Sequence, residues 1–286
     1  MEAFEKAVEL DPENANTWHY LGLTRILAKN LRGAKEALER AVKIDPDYAD
    51  AWHDLALARG KRKDMDGAVD AIERSVELDP DDAEAWHTLG LVRFGRKDLD
   101  GAIDAFERTV ELDPKNADAW LYLGLLRIEA KNISGSRDAL EMAVKVDPKN
   151  ADAWLELGRL RVGIGKHGDA MAALERAVKT DPKHARAWFH LGAARVSGGD
   201  LDGAKDALDK ALEIDPGLAG AWLLLGAMYM DKKNLDGARE VLERAVALDP
   251  ELAKAWDLLG DLYINMGKDK KGKEAKKKAA RLKKDS

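Results

Sequence analysis

Ala117-Asp-Ala-Trp-Leu-Tyr-Leu-Gly-Leu-Leu-Arg127 decides the reading of this chain, because recognisable copies of it return eight times at intervals of 34 residues. The tryptophans keep that interval: Trp18, Trp52, Trp86, Trp120, Trp154, Trp188, Trp222 and Trp256 are all eight in the protein. So do the prolines Pro12, Pro46, Pro80, Pro114, Pro148, Pro182, Pro216 and Pro250, each preceded by an aspartate. Two residue types locked to one period mark a repeat architecture, in which every unit stacks on its neighbours.

Within one unit the apolar positions have helical spacing twice over. Trp86, Leu89, Leu91, Val92 and Phe94 form one run, and Leu99, Ala102, Ile103, Phe106, Val110 and Leu112 form the next. Between them Gly95-Arg-Lys-Asp98 reads as a tight turn in which Asp98 caps the second helix by accepting a backbone N–H. Asn30, Asp64, Asn132, Asp200 and Asn234 share its phase, and Pro ends each second helix by disfavouring helical geometry in the residue before it. A 34-residue hairpin of helices is too small to fold alone, so stacking is obligatory. Each Trp is expected as a buried peg, worth about 4–6 kcal/mol at most on an area basis. Small residues four after Trp, as in Gly22, Ala56, Gly90 and Gly124, and sixteen after it, as in Ala34, Ala68, Ala102 and Ser136, allow close helix contact.

Trp, Leu and Gly at 0, +3 and +4, a small residue at +16, an apolar one at +20, a small one at +23 and Pro at +28 resemble the tetratricopeptide repeat. In the third repeat these are Trp86, Leu89, Gly90, Ala102, Phe106, Thr109 and Pro114. The resemblance covers nearly the whole chain. It implies an all-α fold, a right-handed superhelical solenoid of antiparallel helix pairs. Residues 1–14 would be the second helix of an incomplete leading repeat, 15–252 seven tandem repeats, and 253–286 a capping repeat with a Lys-rich helix, all in one continuous array. The chain begins in mid-repeat, as a fragment would or as an edge that finds another subunit would. One family position departs from the pattern. An aromatic is usual seven after Trp, where this chain has Arg25, Arg59, Arg93, Arg127, Arg161 and Arg195 and keeps only Tyr229 and Tyr263. Such arginines either lay their stems on the packing face and pair with neighbouring acids or form an anion track.

Composition narrows the function classes. Charged residues reach 35% and aromatics only 6%, which suits a thin, elongated core of amphipathic helices. No cysteine is present, so disulfides and cysteine–zinc sites are excluded. Nothing in the chain reads as a signal peptide or a membrane span, and a soluble, cytoplasmic protein is expected. Net charge is −6, but residues 268–286 hold ten Lys or Arg against three acids, a local +7 that leaves −13 on the rest. The acidic body disfavours nucleic acid as a partner, and membrane contact would have to run through residues 268–286. That tail has a weak apolar strip, which suits a solubilising cap better than an inserting helix.

Motifs for chemistry do not survive their context. Gly163-Ile-Gly-Lys-His-Gly168 spells a dinucleotide pattern but falls in an inter-helix turn with no strand before it. Asn132-Ile-Ser134 fits a glycosylation sequon and equally a cap. His19, His53 and His87 form a ladder one after Trp, on helices too far apart to converge on one metal. Acids recur with the repeat, as structural residues do. No enzyme, catalytic residue, metal or cofactor is expected.

The family resemblance implies a concave groove lined by first helices, which would hold a protein or peptide segment. Its positions lie two before Trp and one, five and eight after it. Two before stand Asp50, Glu84, Asp118 and Asp152, an acidic edge that turns basic at Arg186. One after stand His19, His53, His87, Leu121, Leu155 and Phe189; five after, Leu23, Leu57, Leu91, Leu125 and Arg159; eight after, Phe94 and Ile128. A ligand with apolar anchors and basic residues towards one end complements this set. The Lys, Asn and Arg clamp and the asparagine ladder of two family subsets are both missing. Two other functions stay open: docking to an anionic membrane or nucleic acid through the Lys-rich terminus, and self-association through residues 1–14.

Overall fold

A computed structural model describes residues 1–285; Ser286, the last residue of the expected cap, lies outside them. The chain divides into two compact units that meet in sequence at Asp147 and Pro148. The first holds α1 (Glu2–Leu10), α2 (Ala15–Leu27), α3 (Leu31–Ile44), α4 (Ala49–Lys61), α5 (Met65–Leu78), α6 (Ala83–Gly95), α7 (Leu99–Leu112), α8 (Ala117–Glu129) and α9 (Ile133–Val146). The second holds α10 (Ala151–Gly163), α11 (His167–Thr180), α12 (Ala185–Ser197), α13 (Leu201–Ile214), α14 (Ala219–Asp231), α15 (Leu235–Leu248), α16 (Ala253–Asn265) and α17 (Asp269–Asp285). Among the described residues there is no strand. In each unit an even-numbered first helix packs against its own second helix, and that second helix packs against the next first helix.

The turns explain why the pairs are so regular. Asn30, Asp64, Asp98, Asn132, Asp200 and Asn234 each accept the N–H of the residue three later, at 3.0–3.1 Å, while Lys166 makes no such cap. The residue just before each cap is left-handed: Lys29, Lys63, Lys97, Lys131 and Lys233, or Gly165, Gly199 and Gly267. The turn before α7 therefore bends at Lys97, and Gly95 stays helical. The Asn132 N–H then reaches the Arg127 carbonyl at 2.8 Å and the Lys131 N–H reaches Ile128 at 3.0 Å, closing the last turn of α8 in a Schellman pattern. Gly163–Gly168 runs through the end of α10, a turn and the start of α11.

Close approach is confined to the small residues. A Cβ built on Gly124 would stand 2.5 Å from Leu140 Cγ, and one on Gly90 would stand 2.8 Å from the Phe106 ring. Ser136 is fully buried and donates its hydroxyl to the Gly124 carbonyl at 2.8 Å. The tryptophans differ from expectation, since all eight are only half-buried. Each indole N–H instead donates to the carbonyl of the proline six residues earlier, from Trp18 to Pro12 through to Trp256 to Pro250, at 2.9–3.0 Å. Proline thus ends one pair, and its carbonyl fixes the entry of the next.

The arginine ladder is a set of straps. Arg127 Nη1 donates to the Gly135 carbonyl on its partner helix at 3.2 Å, and Nη2 to Glu107 on the preceding second helix at 2.7 Å. Arg25, Arg59, Arg93 and Arg195 repeat both bonds, to Gly33, Gly67, Gly101 and Gly203 and to Glu5, Glu39, Glu73 and Glu175. Their guanidinium groups are spent inside the stack, which leaves no anion track. Tyr263, with the family's aromatic, donates to Glu243 at 2.8 Å in the same geometry, and burial and that carboxylate push its phenol up to about 12.

The two ends are less bare than their sequences suggest. On α1, Val8 is buried with Leu21 and Ala37, and Phe4 stacks on Tyr20 at 5.9 Å. On α17, Ala275 and Ala279 are buried, and Lys276 lays its stem where other second helices carry Leu, Ile or Phe. Its ammonium reaches Asp257 at 2.8 Å and Asp261 at 2.7 Å, and Lys283 reaches Asp257 at 3.0 Å. Lys278 lies over the Trp256 ring at 4.2 Å. No helix among the described residues is long and apolar enough to cross a membrane.

Candidate functional site

First and second helices divide their surfaces differently. A second helix such as α7 buries one stripe, Ala102, Ala105, Phe106, Thr109 and Val110, and leaves polar residues on the other side. A first helix such as α8 is apolar on two sides. Ala119, Leu123 and Leu126 are buried, while Leu121, Leu125 and Ile128 lie on another face and stay half-buried. A helix apolar all round needs cover on every side.

In the first unit Leu23, Leu57, Leu91 and Leu125 are all half-buried, and Phe94 is 44% exposed. Asp50, Glu84 and Asp118 are exposed in the first turns of α4, α6 and α8, where they suit the helix dipole, and none makes an ion pair among the described residues. No Lys or Arg occupies the expected lining positions of this unit.

The ladder one after Trp behaves differently from a lining. His19 is only 5% exposed and therefore packs between repeats. Its Nε2–H donates to Asp54 at 2.6 Å, which in the neutral ring leaves Nδ1 to accept the Tyr48 hydroxyl at 2.8 Å. Burial, and then nearby acids, push the Tyr48 phenol up. His53 Nε2 bonds the Thr88 hydroxyl at 2.9 Å. His87 packs edge-on to Phe106 and Tyr122, its Nε2 has no partner, and burial lowers its pKa against the opposing pull of Asp118 and Glu84. Each histidine thus turns towards the next repeat.

The second unit has its own chemistry. Leu155 is fully buried and is a packing residue, while Phe189 is half-buried. Asp152 pairs with His184 at 3.0 Å. Arg159 holds Glu156 through both carboxylate oxygens at 2.6 and 2.9 Å, and the exposed Arg186 lies 3.8 Å from the same group. His190, beside them, has its pKa lowered to about 4 by burial first and then by Arg159, Arg186 and His184.

Sequence reasoning passed over the row two after Trp. Asp54, Thr88 and Tyr122 receive the ladder histidines, Glu156 and His190 build the second unit's polar cluster, and Tyr20 is 51% exposed. The signal was there: this row changes chemical type at nearly every repeat before settling to Leu224 and Leu258. Among the described residues no three His, Asp or Glu gather in a metal-holding arrangement.

Comparison with known proteins agrees with this architecture. The cilia and flagella-associated protein 70 C-terminal domain profile matches residues 148–285, the cytochrome c-type biogenesis protein H TPR domain profile matches 1–112, and a tetratricopeptide repeat profile matches 93–155. No curated protein sequence matches the chain. Among solved structures, MamA is 28% identical over 57% of this chain and 95% of its own, with a TM-score of 0.54. YrrB, whose structure is described as that of a TPR protein with an unusual peptide-binding site, is 22% identical over 65% of this chain and 96% of its own, with a TM-score of 0.57. A chain of the APC/C hetero-tetramer Cut9–Hcn1 shares the fold at 21% identity over 91% of this chain and 51% of its own, with a TM-score of 0.64. With the 34-residue period, the paired helices and three repeat-type profiles in agreement, this chain belongs to the tetratricopeptide repeat family.

Proposed function

We propose that the protein is a non-enzymatic scaffold that receives a peptide or helix of a partner on the face of its first helices. The observation that carries this reading is the second apolar side of those helices. Leu57, Leu91, Leu125 and Ile128 are left half-covered although a soluble helix normally hides such a stripe. In the first unit the unpaired carboxylates of Asp50, Glu84 and Asp118 border that strip and favour basic residues along one edge of the ligand. YrrB's described peptide-binding site supports the same class of partner.

Panning a display library of random 12-residue peptides against the full chain tests this. Recovered binders should carry Leu, Ile or Phe anchors together with Lys or Arg. Leu91→Glu combined with Leu125→Glu should weaken them at least tenfold with helicity unchanged by circular dichroism. Unchanged affinity in that variant would refute the assignment of the face.

A further inference from the structure

We propose that a cavity between α10 and α12 in the second unit takes the side chain of a partner's tyrosine, the ring on its apolar floor and the hydroxyl on His190. This deepens the reading above, since it rests on the first-helix face receiving a partner. The cavity measures about 280 Å³ and is lined by Arg159, Val162, Leu174, His190, Ala193 and Ser197. Its origin is visible in the repeat. Five after Trp the first unit has Leu four times, and here that row reads Arg159 and then Ala193, which opens the space a leucine would fill.

Three features select the occupant. The volume is below that of ordinary small-molecule pockets and suits one large side chain. The floor is aliphatic, and the half-exposed Arg159 can lie over an aromatic face. His190 makes no hydrogen bond among the described residues, although its ring packs on Phe189 at 4.9 Å. Burial keeps that imidazole neutral at pH 7, so it offers a donor and an acceptor without a charge. A carboxylate is disfavoured, because Glu156 already occupies Arg159. A plain phenyl ring would leave the imidazole unpaired, at the cost of a missed hydrogen bond.

The probes are 4-ethylphenol and ethylbenzene, titrated into the ¹⁵N-labelled full chain and followed by NMR at pH 7. The proposal expects shifts at Val162, His190 and Ala193, with 4-ethylphenol bound about fivefold tighter than ethylbenzene. Ala193→Leu, which restores the residue of four other repeats, should abolish both. His190→Leu should remove the preference while ethylbenzene still binds. Absence of shifts with either probe, equal affinity for the two, or binding that survives Ala193→Leu would each overturn the proposal. None of those results touches the peptide test on Leu91 and Leu125, so failure here and failure of the scaffold reading are separable.

Discussion

Lowering the pH from 7 to 5 should loosen the second unit through His190. Its folded pKa is held at about 4, against 6.5 for the free side chain, by burial first and then by the positive charges of Arg159 and Arg186 and by His184. The unfolded chain binds this proton more readily, so the site stabilises the fold fully above pH 6.5. The contribution is lost as pH falls towards 4. At pH 5 the unfolded state lies about 1.5 pH units below its own midpoint while the folded imidazole is still mostly neutral, which amounts to about 2 kcal/mol. His190→Leu should remove that loss with little effect at pH 7, because Leu224 and Leu258 fill the same phase in later repeats. The assay is urea unfolding followed by circular dichroism at both pH values, comparing the two proteins at each. Arg159→Gln should shrink the effect by letting the folded pKa rise. Parent and His190→Leu losing equal stability between pH 7 and 5 would mean that the imidazole titrates as if exposed, and the argument from burial would fail.

Three other outcomes follow from the stack. Gly124→Ala should destabilise the first unit by about 1–3 kcal/mol, since its Cβ would meet Leu140 at 2.5 Å. Adding Leu140→Ile should recover part of that in urea titrations, because the second repeat pairs Ala56 with Ile72 at these two phases. Arg127→Ala should cost about 1 kcal/mol, while Arg127→Tyr should be nearly neutral, since Tyr263 reaches Glu243 as Arg127 reaches Glu107. Equal losses in the two variants would sink the strap interpretation. At α17, Lys276 and Lys283 hold the Asp257 carboxyl below its ordinary range, so its contribution is present above about pH 4 and lost as pH falls further. Hydrogen-exchange protection in α17, taken relative to the intrinsic rate at each pH, should therefore fall below pH 4, and Asp257→Asn should show the lowered protection already at pH 7.

What the sequence reveals depends on whether a residue works within its own repeat or between repeats. The caps at Asn30 and Asp98 and the close contact at Gly124 are local and recur, so spacing alone exposes them. The Lys97 bend was not legible because lysine carries no mark of the left-handed region, which the Schellman closure imposes on it. The tryptophans were misjudged in degree. Periodicity says that a residue packs, but the proline carbonyl that takes the indole N–H holds the ring near the surface. At the candidate face, spacing named the half-buried leucines but not the burial of His19, which meets Asp54 two after Trp in the following repeat, or of Leu155, which packs with Leu174, Ala187 and Leu191.

Such contacts couple recognition to stability. His19, His53 and His87 share a first helix with candidate lining residues, yet their ring nitrogens or faces engage Asp54, Thr88 and Tyr122 on the next first helix. In a stacked array stability is the sum of unit terms and nearest-neighbour terms, and these contacts belong to the second kind. A substitution two after Trp therefore alters the junction with the preceding repeat, beside the candidate lining residues of the same helix. Residues five after Trp are held less specifically in the first unit, where Leu23, Leu57, Leu91 and Leu125 are half-buried and Leu91 meets the neighbouring core by apolar packing alone. Changes of specificity are then expected to be cheapest in stability at that row, and it is there that the second unit departs furthest, with Arg159, Ala193, Ala227 and Asp261 in place of leucine.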